Sequence, residues 1–230
     1  MPMELAPLRR RMTGRSPFPA LGARGVSGRL AGVEIVATTV GVGTRAAIEA
    51  SERLLASASV PLVVVVGIAG ASAPHLRVGD VVVPETVIHG PANTTHTSVL
   101  LGVAGLDRMG TILTDDELLV DAEAVAAVHR RGIAAMDMET GAIASVCERH
   151  GVPWTAFRAI SDTVDRPVDK EVMTMLSRDG TPNVGAALRF IARHPHRIPH
   201  LVSLARDGAK ACEAAAAAAE KAIAEFARKR

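Results

Sequence analysis

Short runs of Val, Ile, Leu and Ala alternate along the chain with segments in which apolar residues recur every three or four positions. The first kind of run predicts a strand and the second predicts a helix. The predicted strands cover residues 33–40, 62–66, 81–83, 111–114, 133–136 and 154–160. The predicted helices cover residues 45–57, 122–131, 184–191 and 201–230, with one more between Thr140 and Gly151. We therefore predict a single α/β domain in which a largely parallel mixed sheet is flanked by helices.

The two ends of the chain differ from this pattern. The first twelve residues have apolar positions at helical spacing, with no strand before them. Residues 13–29 are rich in Gly, Pro and Ser and predict a loop with a short strand. The Ala-rich segment 201–230 has high helix propensity but little to bury. We predict that residues 1–200 form the α/β domain and that 201–230 form a helix packed on it or extending from it.

Two carboxylates stand at positions where a ligand could reach them. Glu139 lies at the amino end of a predicted helix, where an anion is favoured. Ser161 and Asp162 stand where the strand over 154–160 ends, and ligands of open α/β sheets bind at the carboxyl ends of strands. An acid directly after an apolar strand is partly removed from water, which raises its pKa and suits it to donate a proton. The structural alternatives are that Glu139 only complements the helix dipole and that Asp162 is an ordinary turn residue.

Glycine-rich segments after two predicted strands are candidate ligand cradles. Gly41-Val42-Gly43 precedes a predicted helix, for which Thr44 is the predicted cap, and residues 67–71 form a second predicted turn. The first segment formally matches a dinucleotide-binding fingerprint. That fingerprint also requires an acid after the next strand, where this chain has Gly67-Ile68, so we expect no nicotinamide or other cofactor. Asp115-Asp116-Glu117 is interpreted as the start of a helix.

Composition narrows the classes of function. The net charge of +2 gives no reason to expect nucleic acid as a partner. Cys147 and Cys212 both fall in predicted helices, which favours a reducing, cytoplasmic compartment. No apolar run approaches the ~20 residues that a membrane-spanning helix needs. The histidines form no metal-binding motif, so we predict no metal site, and we interpret His89 and His96 as residues of a surface loop within 89–109.

Several segments taken together resemble the nucleoside phosphorylase/nucleosidase superfamily. Over residues 1–165 their order and spacing are most similar to those of methylthioadenosine/S-adenosylhomocysteine nucleosidases. The segments that carry the resemblance are Gly41-Val42-Gly43, Gly67-Ile68-Ala69-Gly70, Val78-Gly79-Asp80-Val81-Val82, Met138-Glu139-Thr140-Gly141-Ala142-Ile143-Ala144 and Arg158-Ala159-Ile160-Ser161-Asp162. Residues 178–201 are similar to a narrower branch, the hopanoid-associated phosphorylase-like proteins, which are implicated in removing adenine from adenosylhopane.

The resemblance implies a role for each matching residue. Asp162 would protonate the leaving purine, and Ser161 would help to orient that acid or the base. Glu139 would accept hydrogen bonds from the ribose hydroxyls, and Met138 would pack on the sugar. The start of the chain matches the sequence around the family's water-activating glutamate, so Glu4 would be the general base. The further positions with implied substrate contacts are Ile68, Gly70, Leu118 and Leu119.

The chain departs from the family pattern at positions that bear on mechanism. The strand that precedes the general base in the family is absent, so we expect either a sheet without this strand or a native start upstream of Met1. Ile68 stands where many members have Ser or Thr, which phosphorolytic members use together with arginines to hold phosphate. Arg24, Arg45 and Arg77 are the candidates for such an anion site, and an ordinary surface position is the alternative for each.

Three functions remain open at this point. The first is a hydrolytic purine nucleosidase that releases adenine, with a lipid-linked nucleoside as one candidate substrate. The second is a phosphate-dependent phosphorylase, and the third is a non-catalytic nucleoside-binding protein. The resemblance implies a small-molecule nucleoside as partner and a homodimer or larger homo-oligomer. Leu201 and Leu204, with the basic residues near them, are a candidate site of peripheral membrane contact.

Overall fold

The computed structural model of the chain describes residues 1–99, 110–119, 121–168, 170–175, 177, 180–181 and 183–228. These residues form ten strands, seven α-helices and two short 3-10 turns, Pro19–Leu21 and Pro195–Arg197. The strands are β1 (Thr13–Pro17), β2 (Val26–Leu30), β3 (Val33–Ala37), β4 (Val63–Ala71), β5 (Val81–Val82), β6 (Thr86–His89), β7 (Thr94–Thr97), β8 (Thr111–Thr114), β9 (Ile133–Asp137) and β10 (Trp154–Asp162). The helices are α1 (Pro2–Arg11), α2 (Thr44–Ser57), α3 (Ala122–Arg130), α4 (Thr140–Arg149), α5 (Lys170–Met173), α6 (Val184–Arg193) and α7 (Ile198–Arg228).

The strands form two sheets. The first three make an antiparallel sheet in the order β1-β2-β3. The other seven make a mixed sheet in the order β5-β10-β4-β9-β8-β6-β7. The β10–β4, β9–β8 and β8–β6 pairs are parallel. The β5–β10, β4–β9 and β6–β7 pairs are antiparallel. This arrangement confirms the predicted α/β fold with a mixed sheet flanked by helices.

Two unpaired strand edges face a cavity between these sheets. β3 pairs only with β2, and β4 pairs with β9 only through Gly70 and Ala71. The cavity has a volume of about 160 Å³ and is lined by residues 36–40, by residues 62–66 and by the inner face of α1. No strand precedes α1 among the residues that the structure describes, and β3 and β4 do not pair with each other across the cavity.

Helices cover both faces of the seven-stranded sheet. α2 and α4 pack on one face, where Ala47 and Ile143 share a core with alternate residues of β4. α7 covers the other face against β10 and β4. The fully buried alanines of α7 are Ala211, Ala215, Ala216, Ala219 and Ala222. The expectation that this helix has little to bury is therefore wrong, because small side chains allow its backbone to approach the sheet closely.

Three local predictions are also wrong. Residues 67–71 do not turn but continue β4, where Gly67 pairs with Arg158 of β10 in parallel register. The segment 13–29 holds two strand segments, β1 and most of β2, rather than a loop with one short strand. Part of the polar segment 89–109 belongs to the β6–β7 hairpin rather than to a loop. The β-branched threonines at positions 94, 95 and 97 favour a strand there. Residues 100–109 lie outside the described part of the chain. The remaining predicted strands and helices are present, with ends that differ by a few residues.

The described helices differ from a membrane-spanning segment in length or hydropathy. None of them, including the 31-residue α7, is long and apolar enough to cross a membrane.

Candidate active site

Two glycines of β4 make room for functional side chains. A Cβ atom at Gly67 would collide with the Arg158 guanidinium and the Glu4 carboxylate, and a Cβ atom at Gly70 would lie 2.9 Å from Oδ2 of Asp162. Gly67 and Gly70 are three residues apart, which is about 10 Å along a strand. The structure thus brings Glu4 and Asp162, the two predicted catalytic residues, against the same stretch of β4.

The Glu4 carboxylate is held between the backbone of β4 and two cationic groups. Its Oε1 accepts a hydrogen bond from the Ile68 N–H at 3.1 Å and lies 3.6 Å from Nη1 of Arg158. The amino group of Met1 contacts the other oxygen, Oε2. Glu4 occupies the first turn of α1, and the burial of Leu8 on the same helix holds that turn beside the sheet. Only 11% of the Glu4 side chain is exposed, so its charge depends on these partners.

Arg158 of β10 connects the acidic residues of the site, and sequence reasoning did not identify it. Its side chain is 3% exposed, and its Nε lies 2.7 Å from Oδ2 of Asp137 and 2.8 Å from Oγ1 of Thr140. Nη2 lies 3.4 Å from Oε2 of Glu139, while Nη1 faces Glu4. The sequence feature that could have identified Arg158 is its place as the one charged residue within the apolar predicted strand 154–160, because a buried charge requires partners.

Asp137, at the end of β9, caps α4, the helix that Glu139 directly precedes. Its Oδ1 accepts hydrogen bonds from the Thr114 hydroxyl at 2.6 Å and from the backbone N–H groups of Glu139 and Thr140 at 3.3 and 3.2 Å. The Thr140 hydroxyl donates to Oδ2. These bonds satisfy donors that the first turn of α4 leaves free. The amino end of α4 thus has a cap from Asp137 in addition to the predicted favourable interaction between Glu139 and the helix dipole. Sequence reasoning did not identify the role of Asp137.

Glu139 is the residue immediately before α4, as its predicted place at the amino end of a helix requires. Its Oε1 accepts a hydrogen bond from the N–H of Gly43 at 3.1 Å, so the glycine turn before α2 contacts this acid. Gly43 has a φ of 88°, which favours glycine. Burial raises the pKa of Glu139 to about 7; the Arg158 guanidinium opposes this shift, and the negative charges of Asp137 and Glu4 add to it.

Asp162 ends β10, as predicted, and lies apart from the Arg158 cluster. Ser161 donates a hydrogen bond from Oγ to Oδ1 of Asp162 at 2.7 Å. Burial raises the pKa of Asp162, whereas the hydrogen bonds from Ser161 and from the backbone N–H of Val168 oppose the rise. Glu4 and Glu139 line the cavity between the sheets, but Asp162 is not part of that lining. A raised pKa means that this carboxyl group keeps its proton to a higher pH than an ordinary aspartate does.

The other predicted contact residues lie in different surroundings. Met138 is half-buried between Asp137 and Glu139, and Leu118 is half-buried in the segment after β8. Leu119 packs against the core around Leu113, Val128 and Ile133. The Ile68 side chain packs against α7 alanines, so at the carboxylate cluster Ile68 offers its backbone amide.

The polar residues interpreted as surface or helix start have structural contacts instead. His89 and His96 are buried, 4% and 6% exposed, because the β6–β7 hairpin packs its inner face on α4. His96 Nδ1 lies 2.7 Å from Glu148. Asp116 does not begin a helix; it accepts hydrogen bonds from the N–H and hydroxyl of Thr44 at 2.8 and 2.7 Å. Thr44 is accordingly the first residue of α2 rather than its cap.

The candidate phosphate-binding arginines have nearby partners of their own. Arg45 lies 3.2 Å from Glu49 one turn along α2, and Arg77 donates to the carbonyl of Pro74 at 3.2 Å. Within the described ranges, no three His, Cys, Asp or Glu side chains are grouped so that they could hold a metal ion.

The sequence and the fold of the chain have counterparts among known proteins. The 5′-methylthioadenosine/S-adenosylhomocysteine nucleosidase of Geobacillus kaustophilus is 32% identical over 190 residues, which cover 70% of this chain and 81% of that protein. The enzyme of the same name from Neisseria meningitidis, solved with methylthio-immucillin-A, superposes with a TM-score of 0.72 at 20% identity over 100% of this chain and 96% of that one. Futalosine hydrolase of Helicobacter pylori gives a TM-score of 0.71 at 16% identity, covering 97% and 94% of the two chains. The two structural likenesses establish a common fold.

The family follows from a match that spans most of the chain. The model of the family described as "Phosphorylase superfamily" matches residues 1–126 and 104–192. These ranges include Glu4, the glycines of β4, Glu139, Arg158 and Asp162. The chain belongs to the phosphorylase superfamily.

Proposed function

We propose that the protein is a hydrolase that uses water to cleave the N-glycosidic bond of a purine nucleoside. The observation that carries this proposal is the placement of three acids along residues 67–70 of β4. Glu4 and Glu139 meet at Arg158 near Gly67, and Asp162 stands at Gly70. The two ends of this segment are about 10 Å apart along the strand, and the proposed reaction requires one nucleoside to contact both of them. The similarity to a 5′-methylthioadenosine/S-adenosylhomocysteine nucleosidase supports the same reaction class.

Asp162 supplies the proton for the leaving base. Breaking the ribosyl C–N bond leaves negative charge on the purine, and protonation of the purine removes that cost. A carboxylic acid can donate this proton near neutral pH only when its pKa is raised. Burial raises the pKa of Asp162, and Ser161 fixes the orientation of the carboxyl group through a 2.7 Å hydrogen bond. Asp162 is therefore the general acid of the proposed reaction.

Glu139 and Glu4 act on the sugar side of the bond. The ribose becomes cation-like as the base departs, and a nearby carboxylate stabilises that charge. Hydrogen bonds from ribose hydroxyls to Glu139 favour its anionic form and thus lower its pKa from about 7 when substrate binds. Glu4, held by Ile68 and Arg158, takes a proton from the attacking water. Met138, next to Glu139 in sequence, packs on the sugar.

Hydrolysis is favoured over phosphorolysis by what surrounds residue 68. Ile68 has no hydroxyl group, and its backbone N–H already donates to Glu4. Arg45 is paired with Glu49, and Arg77 donates a hydrogen bond to the Pro74 carbonyl. A phosphate ion would therefore find few free donors beside Glu4, whose negative charge would also repel it. The attacking water of a hydrolysis, in contrast, needs only a hydrogen-bond acceptor, which the Glu4 carboxylate provides.

Adenine is the base that we propose is released. The relatives named above are methylthioadenosine/S-adenosylhomocysteine nucleosidases, which supports methylthioadenosine and S-adenosylhomocysteine as candidate substrates. The resemblance of residues 178–201 to hopanoid-associated proteins supports an adenosyl lipid as a narrower alternative. The likeness to futalosine hydrolase is a likeness of fold and does not select a substrate.

A panel of adenosyl nucleosides, each with and without phosphate, tests this proposal. The panel contains methylthioadenosine, S-adenosylhomocysteine and an adenosyl lipid, and free base and free sugar are quantified by chromatography. Hydrolysis predicts equal base release in both conditions and a sugar without phosphate. Base release that requires phosphate and yields a sugar 1-phosphate would establish the phosphorylase alternative. Binding of these nucleosides without any base release would establish the non-catalytic alternative.

The compartment and the oligomeric state of the protein are proposed from its cysteines and from the family resemblance. Both cysteines, Cys147 and Cys212, are buried free thiols, which supports a reducing compartment such as the cytoplasm. The family resemblance supports a homodimer or larger homo-oligomer. Light scattering of the purified full chain measures that assembly directly.

A further inference from the structure

The segment that contains α6 and the start of α7 combines exposed apolar side chains with positive charge. None of the ten residues of α6 is buried. Among the described residues, six large apolar side chains are exposed, and four of them lie on this surface. They are Val184, Leu188, Ile198 and Val202, with exposures of 65%, 62%, 41% and 44%. We call residues 183–206 the basic apolar surface.

The apolar residues of this surface follow helical spacing. Val184 and Leu188 are four residues apart on α6, and Ile198 and Val202 are four residues apart on α7. Residues at this spacing lie on one face of a helix, so each helix presents an apolar stripe rather than scattered side chains. Because the described part of the chain leaves these apolar stripes exposed, they indicate an external partner.

The charge of the surface has a single sign. Residues 183–206 contain four arginines, at positions 189, 193, 197 and 206, and no Asp or Glu. Arg197 is paired with Glu171 at 3.1 Å and lies over the Phe190 ring. Arg189, Arg193 and Arg206 are exposed, and the described side chains offer them no ion pair. A partner for this surface must therefore accept positive charge together with apolar side chains.

We propose that the basic apolar surface binds the surface of a membrane that contains anionic lipids. Helices that lie at a membrane interface carry apolar side chains on one face and Lys or Arg on the polar face, which is the composition of this surface. A second copy of the chain is disfavoured as the occupant, because a two-fold contact between identical surfaces would bring arginines against arginines. Anionic lipid headgroups instead complement the arginines, and the Val, Leu and Ile side chains enter the boundary between headgroups and acyl chains.

This surface is linked to the candidate active site through the segment after Asp162. Arg166 donates to Ser203 of α7 at 2.6 Å and lies 3.1 Å from Asp207. Gly180, shortly before α6, is close enough to Met1 that an added Cβ atom would collide with its side chain. Docking of α6 and α7 on a lipid surface would therefore hold the residues around Asp162 near that surface.

Flotation of the full chain with lipid vesicles tests the proposal. The probes are vesicles of phosphatidylcholine with about one third phosphatidylserine, and vesicles of phosphatidylcholine alone. We expect binding to the anionic vesicles, weakened by added salt, and much weaker binding to the neutral ones. Because each arginine near an anionic surface contributes about fivefold in affinity, R189E/R193E should lose binding by more than about 25-fold.

Matched variants separate a docking surface from general charge. R45E/R53E makes the same change in net charge on exposed residues of α2, and we expect it to retain binding. Leu188→Gln should weaken binding, whereas Val99→Gln, at an exposed apolar residue elsewhere, should not. Emission of Trp154, the single tryptophan and a buried one, checks that every variant is folded.

Three results would overturn the proposal. The first is an absence of wild-type binding to anionic vesicles, and the second is equal loss of binding in the two arginine double variants. The third is a change in oligomeric state, measured by light scattering, for Leu188→Gln but not for Val99→Gln, which would assign the surface to a second copy of the chain.

Discussion

Nη2 of Arg158 lies 3.4 Å from Oε2 of Glu139, and both side chains are largely removed from water. This contact joins the middle of β10 to the residue that directly precedes α4. The same guanidinium also faces Asp137 and Glu4, so one positive charge serves three acids. The arrangement explains how acids distant in sequence are held together at the edge of one cleft.

Arg158 should therefore be required for stability as well as for activity. In Arg158→Met, Asp137 and Glu139 lose their buried counter-charge, and among the described residues Glu4 keeps only the Met1 amino group as a cationic partner. Removal of one partner of a buried pair typically costs about 3–5 kcal/mol. Urea unfolding followed by the emission of Trp154 measures this cost. Arg53→Met, at an exposed arginine of α2, is the control and should change the free energy of unfolding little. Equal stability of the two variants would show that the cluster is not held by Arg158.

Gly67 should tolerate no side chain. Gly67→Ala places a Cβ atom where the Arg158 guanidinium and the Glu4 carboxylate lie, so we expect a loss of about 1–3 kcal/mol and a large loss of turnover. Gly185→Ala is the matched control, because among the described residues its Cβ would meet only Asn183, at an ordinary 3.6 Å on an exposed helix. That variant should be as stable as the wild type or slightly more stable. If Gly67→Ala behaved like Gly185→Ala, the close packing at β4 would be disproved.

The raised pKa of Glu139 predicts a pH dependence of stability. Its pKa of about 7 in the folded protein exceeds its ordinary value of 4.5, so the folded state binds this proton more tightly than the unfolded chain does. The resulting stabilisation is complete below pH 4.5 and is lost as the pH rises through 7. Glu139→Gln cannot ionise, so its free energy of unfolding should fall less than that of the wild type over this range. Parallel curves for the two proteins in urea titrations would contradict the assignment.

The alternation of apolar runs predicted most of the strands and helices, because each run had the length and spacing of its element. Residues 67–71 misled this reasoning, since glycines that usually mark a turn here make room for Arg158 and Glu4 within a strand. The alanines of α7 misled it as well, because small side chains that bury little area individually allow the helix to pack close to the sheet.

The site was predictable only in part. Glu139 and Asp162 were visible because each stands where one element begins or ends. Arg158 and Asp137 were missed because their roles depend on contacts across the sheet, which local spacing does not encode. Asp116 looked like the start of a helix but caps α2 from 72 residues away. His89 and His96 looked exposed because the β6–β7 hairpin that buries them was not recognised.

The central claim is that Asp162 donates the proton that releases the base. The most direct measurement is the rate of adenine release from methylthioadenosine, without phosphate, by the wild type, by Asp162→Asn and by Asp165→Asn, a control at an exposed aspartate nearby. We expect Asp162→Asn to lose about 10²–10⁴-fold or more in rate while keeping the emission of Trp154, and Asp165→Asn to remain active. A rate for Asp162→Asn close to that of the wild type would contradict the account.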